Sequence, residues 1–155
     1  MLISHISDIH LGYAQFNLTE REQDIYYAFE EAVDKSISEH ADLVLLAGDI
    51  FHTPRPSGSS IVKLANELKR LREASIPVYF ILGEHDISRV RDTPVPYLFE
   101  NVGLAKRLED NQPRREGELT LFGFNKERRS NMESLLQKFQ IAQKLAKQQK
   151  ENYDS

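Results

Sequence analysis

The chain has 155 residues, the size of a single globular domain. Apolar residues make up 40% and charged residues 28%, as in ordinary folded proteins, so the composition excludes a wholly disordered chain. Its 20 basic and 24 acidic residues give a formal net charge of −4, which argues against nucleic-acid binding through bulk positive charge. Cysteine is absent, which excludes disulfides, thiolate metal sites and cysteine nucleophiles.

The amino terminus and the apolar runs indicate where the protein works. No basic segment followed by a signal-type apolar stretch opens the chain. The longest apolar runs, Leu43–Ala47 and Val78–Leu82, are far too short to cross a bilayer. We therefore expect a cytoplasmic protein with no membrane partner.

The first 86 residues alternate between strand and helix patterns. Strands are predicted at Leu2–Ser7, Leu43–Ala47 and Val78–Leu82. The first helix is expected to open at Thr19, with Glu22 completing a capping box, and the second follows the loop Thr53–Ser59. Alternating buried strands and amphipathic helices predict an α/β layered fold with a largely parallel sheet.

The later half is less regular. Thr93-Pro94 predicts the start of a short helix that ends at Gly103. Two further strands are expected at Leu104–Leu108 and Glu118–Phe122, joined by a polar turn at Asp110–Arg115. A Ser-x-x-Glu pattern then predicts a long helix that begins at Ser130. Residues 1–145 are predicted to form one domain, and 146–155 a polar tail.

Polar side chains follow each of the three early strands. The motifs are Asp8-x-His10, Gly48-Asp49 and Gly83-Glu84-His85-Asp86. Each motif alone is more typical of a turn than of a site. Because the carboxyl ends of parallel strands meet at one edge of a sheet, the three together predict a shared ligand site there.

The residue types at this edge suit metal chemistry on phosphate esters. A carboxylate and an imidazole two residues apart can hold manganese, iron or zinc, and a carboxylate at Asp49 could bridge two ions. His52 and His85 lie beside the proposed ligands, where an imidazole could bind a phosphate oxygen or protonate a leaving group. Three arginines follow these motifs and could border the cleft: Arg55, Arg89 and Arg91.

The pattern D-x-H, G-D and G-x-H-D resembles the calcineurin-like metallophosphoesterases. Within them, Asp8-Ile9-His10-Leu11-Gly12-Tyr13 and Ala47-Gly48-Asp49-Ile50-Phe51-His52, followed by Arg55-Pro56-Ser57, are similar to the DNA double-strand-break-repair nucleases of the meiotic-recombination-eleven family. The bacterial exonuclease subunit SbcD belongs to the same group. The resemblance is dense to about residue 105 and looser to about residue 140.

The resemblance assigns roles to the strand-end residues. It implies two divalent ions, Mn²⁺ above all, with Asp8 and His10 on one ion and Asp49 bridging both. Position 84, here Glu84, would hold the second ion. His85 would act on the leaving group or the phosphate, and His52 would assist it.

The resemblance also implies an activity and partners. The activity is manganese-dependent cleavage of DNA, as 3′-to-5′ exonuclease and single-strand endonuclease. The partners are DNA, a second copy of the chain in a homodimer, and an ABC-type ATPase of the SMC kind. The implied fold is the metallophosphoesterase-type sheet flanked by helices, of which this chain would form the first half.

Two departures from the family pattern bear on activity. Glu84 stands where the family has asparagine, which adds negative charge where a phosphate must approach. The family completes its site with a later histidine and a Gly-His-x-His motif, whereas the five histidines here end at His85. We therefore expect a fragment or shortened form with weak metal binding and low or no nuclease activity.

Two other functions remain open from the sequence. A small-molecule or cyclic-nucleotide phosphodiesterase would use the same metal ligands on another substrate. A non-catalytic dimerisation or scaffold module would carry a decayed site, as Glu84 and the missing imidazoles would suggest.

Overall fold

The computed structural model describes residues 1–88, 90, 92–127 and 131–151, with 149–151 given by backbone only. The chain divides into two compact units, Met1–Arg107 and Leu108–Ser155, and each is described by itself. The first unit contains all of the predicted site motifs.

A four-stranded parallel sheet organises the first unit. The strands lie in the order β1-β2-β3-β4, at Ile3–Ile6, Leu43–Ala47, Val78–Ile81 and Lys106–Arg107. In this register Ile3 is opposite Leu43, and Val44 is opposite Val78. Its helices are α1, α2 and α3, at Thr19–Ser38, Gly58–Glu73 and Tyr97–Asn101. The predicted α/β fold with a parallel sheet flanked by helices is confirmed.

The core lies between the sheet and the helices. The two central strands are nearly continuous aliphatic or aromatic runs, with Val44 and Phe80 at most 2% exposed. The crossovers from β1 to β2 and from β2 to β3 both move to the next strand in the same direction along the sheet. Because such crossovers are right-handed, α1 and α2 lie on the same face of the sheet. These helices bury Val33 and Leu68 against that face.

Helix α1 begins at Thr19, as predicted, but Thr19 does not cap it. The N-cap is Leu18, which follows a short 3-10 turn at Gln15–Asn17, so the predicted capping box is wrong. The N-cap of α3 is Pro96 rather than Thr93.

The start of α2 carries a side-chain cap. Ser57 has extended backbone angles, and its Oγ accepts a hydrogen bond of 3.2 Å from the Ser60 amide. We expect Ser57→Ala to lower the free energy of unfolding by about 1 kcal/mol, since that donor loses its acceptor. Ser59→Ala, at an exposed position in the same turn, is the matched control and should change little. Urea unfolding measures both; equal stabilities would contradict the capping role.

The second unit consists of a hairpin and a long helix. Strands β5 and β6, at Arg114–Glu116 and Leu119–Leu121, pair antiparallel, so part of the predicted turn before them is itself a strand. Helix α4 spans Met132–Glu151, and its Lys138 forms ion pairs with Asp110 and Glu127. Ser130, the predicted cap of this helix, lies outside the described residues. None of the described helices combines the length and apolar character that crossing a membrane requires.

Candidate metal centre

The segments that follow β1 and β2 stay side by side after the strands end. The Asp8 amide donates to the Gly48 carbonyl at 3.2 Å, and the His10 amide donates to the Asp49 carbonyl at 2.9 Å. This pairing brings one donor atom each from Asp8, His10 and Asp49 within 4.8 Å of one another. The structure thus brings these three predicted strand-end residues together.

All three of these residues adopt left-handed backbone angles. Asp8, His10 and Asp49 have φ values of 54°, 51° and 48°. Such angles are uncommon outside glycine and cost on the order of 1–3 kcal/mol each. The hydrogen bonds between the two segments hold the strained backbone in place, and the strain is concentrated where donor side chains must be re-aimed toward a common point.

Three imidazoles form a second cluster that shares His10 with the first. Donor nitrogens of His10, His52 and His85 also lie within 4.8 Å of one another. The His10 ring meets the His85 ring edge-on at 4.8 Å between centroids, and the His52 and His85 rings stack at 5.3 Å. Tyr13 packs against His52 at 4.3 Å between ring centroids, so the histidine cluster has an aromatic side wall.

Hydrogen bonds define the tautomer of His85. Its Nδ1 lies 2.8 Å from the His52 carbonyl oxygen, which can only accept, so Nδ1 carries the proton and the neutral ring keeps its lone pair on Nε2. The His85 amide donates to Asp49 Oδ1 at 2.8 Å. His85 is thus attached to both clusters.

The other two rings lack comparable partners. Among the described residues, Nδ1 of His10 and Nδ1 of His52 are buried without a hydrogen bond. Burial lowers the pKa of His52, and the nearby His10 and His85 lower it further because a second positive charge there would be repelled. A bound cation is one kind of partner that could satisfy buried imidazole nitrogens left without a hydrogen bond.

Asp86 is a positioning residue that the sequence reasoning missed. Its carboxylate is 1% exposed and accepts hydrogen bonds from the amides of Ile50, Phe51 and Gly83 at 3.2, 3.0 and 3.0 Å. Burial raises the pKa of Asp86, and these backbone donors act in the opposite direction. The carboxylate ties the segment after β2 to the segment after β3, so it sets where Asp49 and His85 lie.

The remaining predicted site residues stand apart from these clusters. Glu84 is exposed and belongs to neither donor cluster of the described residues. Arg55 is exposed, and its guanidinium lies 3.7 Å from the Asp92 carboxylate. Arg89 and Arg91 lie outside the described residues.

Comparison with known proteins identifies the family. The model of the calcineurin-like phosphoesterase family matches residues 1–146. The chain belongs to this family. In this family member, aspartates and histidines that follow the strands meet at one edge of the parallel sheet.

Several relatives of this calcineurin-like phosphoesterase carry the name DNA double-strand break repair protein Mre11. That of Methanococcus maripaludis is 40% identical over 126 residues, which cover 81% of this chain and 31% of the relative. The protein of that name from Sulfurisphaera tokodaii is 39% identical over 125 residues, which cover 79% of this chain and 32% of the relative. The predicted resemblance is confirmed, and the chain spans about a third of the length of these curated relatives.

The donor set fits a divalent cation. Asp8 and Asp49 offer carboxylate oxygens, and His10 offers a nitrogen in a ring whose buried Nδ1 lacks a hydrogen bond. Carboxylate and imidazole together suit manganese, iron or zinc. These three donors can share one such ion. His85, which follows Glu84 in the sequence, is attached to this set because its amide donates to Asp49.

Proposed function

We propose that this chain is the metal-binding part of a DNA-repair nuclease and acts on phosphodiesters of DNA. The observation that carries the proposal is the meeting of Asp8, His10 and Asp49 donor atoms within 4.8 Å. The similarity to proteins named for double-strand break repair supports DNA as the substrate. In this proposal the protein works in the cytoplasm, at the nucleoid if the cell is prokaryotic, as a homodimer with an ABC-type ATPase of the SMC kind.

The metal ligands follow the family pattern in this proposal. Asp8 and His10 would hold one divalent ion, Mn²⁺ above all, and Asp49 would be shared with a second ion that Glu84 would also hold. Bound divalent ions would supply positive charge beside the phosphate and would lower the pKa of a water, so that hydroxide is available to attack the phosphorus. The carboxylates of Asp8 and Asp49 repel each other when no cation lies between them, so metal affinity depends on both.

His85 and His52 handle the proton and the phosphate. Because Nδ1 of His85 donates to the His52 carbonyl, its Nε2 is the atom that can bind a phosphate oxygen or, when protonated, give a proton to the leaving oxygen. His52 supports that ring by stacking on it. Arg55, Arg89 and Arg91 would contact the DNA backbone, and the exposed Arg55–Asp92 pair is weak enough to exchange for a phosphate. By the family resemblance, the proposed activities are those of a 3′-to-5′ exonuclease and a single-strand endonuclease.

Manganese titration of the purified chain tests the proposal. We expect weak but measurable Mn²⁺ binding by calorimetry, and Asp49→Asn should reduce the affinity about tenfold or more because a shared anionic ligand becomes neutral. The amide oxygen of the new side chain can still accept from the His85 amide, so the fold should be kept. Asp24→Asn, in an exposed ion pair on α1, is the matched control and should leave the affinity unchanged.

The same samples separate the competing functions. Slow Mn²⁺-dependent cleavage of single-stranded DNA, lost in Asp49→Asn, would support the nuclease. Cleavage of a generic phosphodiester but not of DNA would favour a small-molecule phosphodiesterase. The non-catalytic scaffold is favoured by one observation, the position of Glu84 outside the described donor clusters, and absent Mn²⁺ binding would select it.

A further inference from the structure

Hydrogen bonds that do not involve Asp8 hold the three-imidazole cluster together. The His52 amide donates to the Leu11 carbonyl at 3.0 Å, which joins the segment carrying His10 to the segment carrying His52. Nδ1 of His85 then bonds to the His52 carbonyl at 2.8 Å. These bonds hold the three ring-bearing segments together without using Asp8.

The spacing of the three rings is close to that of a metal site. Tetrahedral zinc with Zn–N bonds of about 2.0–2.1 Å keeps its ligand nitrogens roughly 3.3 Å apart. The donor nitrogens of His10, His52 and His85 lie within 4.8 Å, so each pair must close by about 1.5 Å at most. Side-chain rotation can supply a movement of this size, since neither His10 nor His52 is held by a hydrogen bond at Nδ1.

The ring of His85 is already arranged as a ligand. A metal-binding histidine usually donates its other N–H to a carbonyl or carboxylate, which fixes the tautomer and the ring orientation. The bond from His85 Nδ1 to the His52 carbonyl is such a contact. The lone pair on His85 Nε2 therefore needs no rearrangement of protons before it can bind a cation.

The two donor clusters differ in the ions that they favour. Three neutral nitrogens suit Zn²⁺ and other ions of borderline softness, whereas a set with two carboxylates suits Mn²⁺. We propose that His10, His52 and His85 form a second, three-imidazole site for Zn²⁺-like ions. His10 belongs to both clusters, and a neutral imidazole has one lone pair for a metal. Zn²⁺ at the imidazoles should therefore compete with Mn²⁺ at the carboxylates. The consequence for catalysis, inhibition by Zn²⁺, rests on the proposed function; the binding site itself does not.

Two substitutions separate the two sites in calorimetric titrations. His52→Gln removes a ligand from the imidazole site alone, so Zn²⁺ affinity should fall about tenfold or more while Mn²⁺ affinity stays within about twofold. Asp8→Asn should show the reverse pattern. His5→Gln, an exposed histidine on β1, is the matched control and should change neither affinity. Co²⁺ in place of Zn²⁺ should give the visible absorption of a tetrahedral site, lost in His52→Gln.

Each outcome of these titrations is decisive. Zn²⁺ binding that His52→Gln leaves intact, or that Asp8→Asn weakens as much as His52→Gln does, would overturn the three-imidazole site. Zn²⁺ binding lost on His52→Gln, in a chain that binds no Mn²⁺ at all, would support this site and contradict the proposed function. Thermal unfolding of each variant verifies that the fold is retained.

Discussion

Asp86→Asn is expected to lower the free energy of unfolding by about 2 kcal/mol, although it changes only one atom of the side chain. Oδ2 of Asp86 accepts from the amides of Ile50 and Gly83, and Oδ1 accepts from Phe51. Asparagine keeps one oxygen, so its NH₂ group must face at least one buried N–H. An unpaired buried donor costs about 1–3 kcal/mol, and the charge assistance to the remaining bonds is lost as well.

One term acts in the opposite direction and limits the size of this effect. Burial raises the pKa of Asp86, which means that its ionised form is itself unfavourable in the folded chain. The neutral amide avoids that penalty, so the net loss is smaller than the sum of the hydrogen bonds. Urea unfolding of wild type, Asp86→Asn and the surface control Asp24→Asn measures the difference. Stability of Asp86→Asn within about 0.5 kcal/mol of wild type would show that the carboxylate does not hold these segments together.

The sheet and the strand-end location of the site could be predicted from sequence because they depend on local patterns. Leu43–Ala47 is a continuous aliphatic run that ends at Gly48-Asp49, and the structure has β2 at those same residues. Parallel strands then bring the residues after each strand to one edge, as found for Asp8 and Asp49.

The N-cap of α1 could not be predicted because it depends on the shape of the preceding loop. A capping box needs Thr19 in an extended conformation. Instead, Phe16 and Asn17 take left-handed angles of 58° and 56°, and the chain reaches Thr19 already turning into α1. A pattern of residue types carries no information on that turn.

The imidazole cluster and the role of Asp86 depend on contacts between distant segments. Asp86 binds amides that lie 35 and 36 positions away in the chain, so only the folded structure reveals its partners. The signal in the sequence was weak but present, since Asp86 closes the same motif that carries Glu84 and His85. A buried carboxylate directly after a predicted ligand motif is a reasonable candidate for a positioning residue.

Gly83→Ala is expected to have the largest effect on stability, because no space exists for a single added carbon. A Cβ at this position would lie 2.1 Å from Asp49 Oδ1 and 2.3 Å from the Asp49 backbone nitrogen. The carboxylate could turn away, but the backbone nitrogen moves only if the whole segment after β2 moves. That segment is also bonded through Asp86 to Gly83 itself. We expect a loss of about 3 kcal/mol or more in the free energy of unfolding.

Gly58→Ala is the matched control for this substitution, since it makes the same chemical change where nothing lies within 4 Å of the new Cβ. Gly58 is the first residue of α2, and alanine restricts the unfolded chain, so this variant should gain about 0.5 kcal/mol. Urea unfolding and Mn²⁺ calorimetry on both variants give the comparison. A Gly83→Ala chain that fails to fold while Gly58→Ala folds meets the expectation. Two variants of equal stability and equal Mn²⁺ affinity would mean that the segments after β2 and β3 do not approach each other closely, and the geometry that joins Asp49 to His85 would then be wrong.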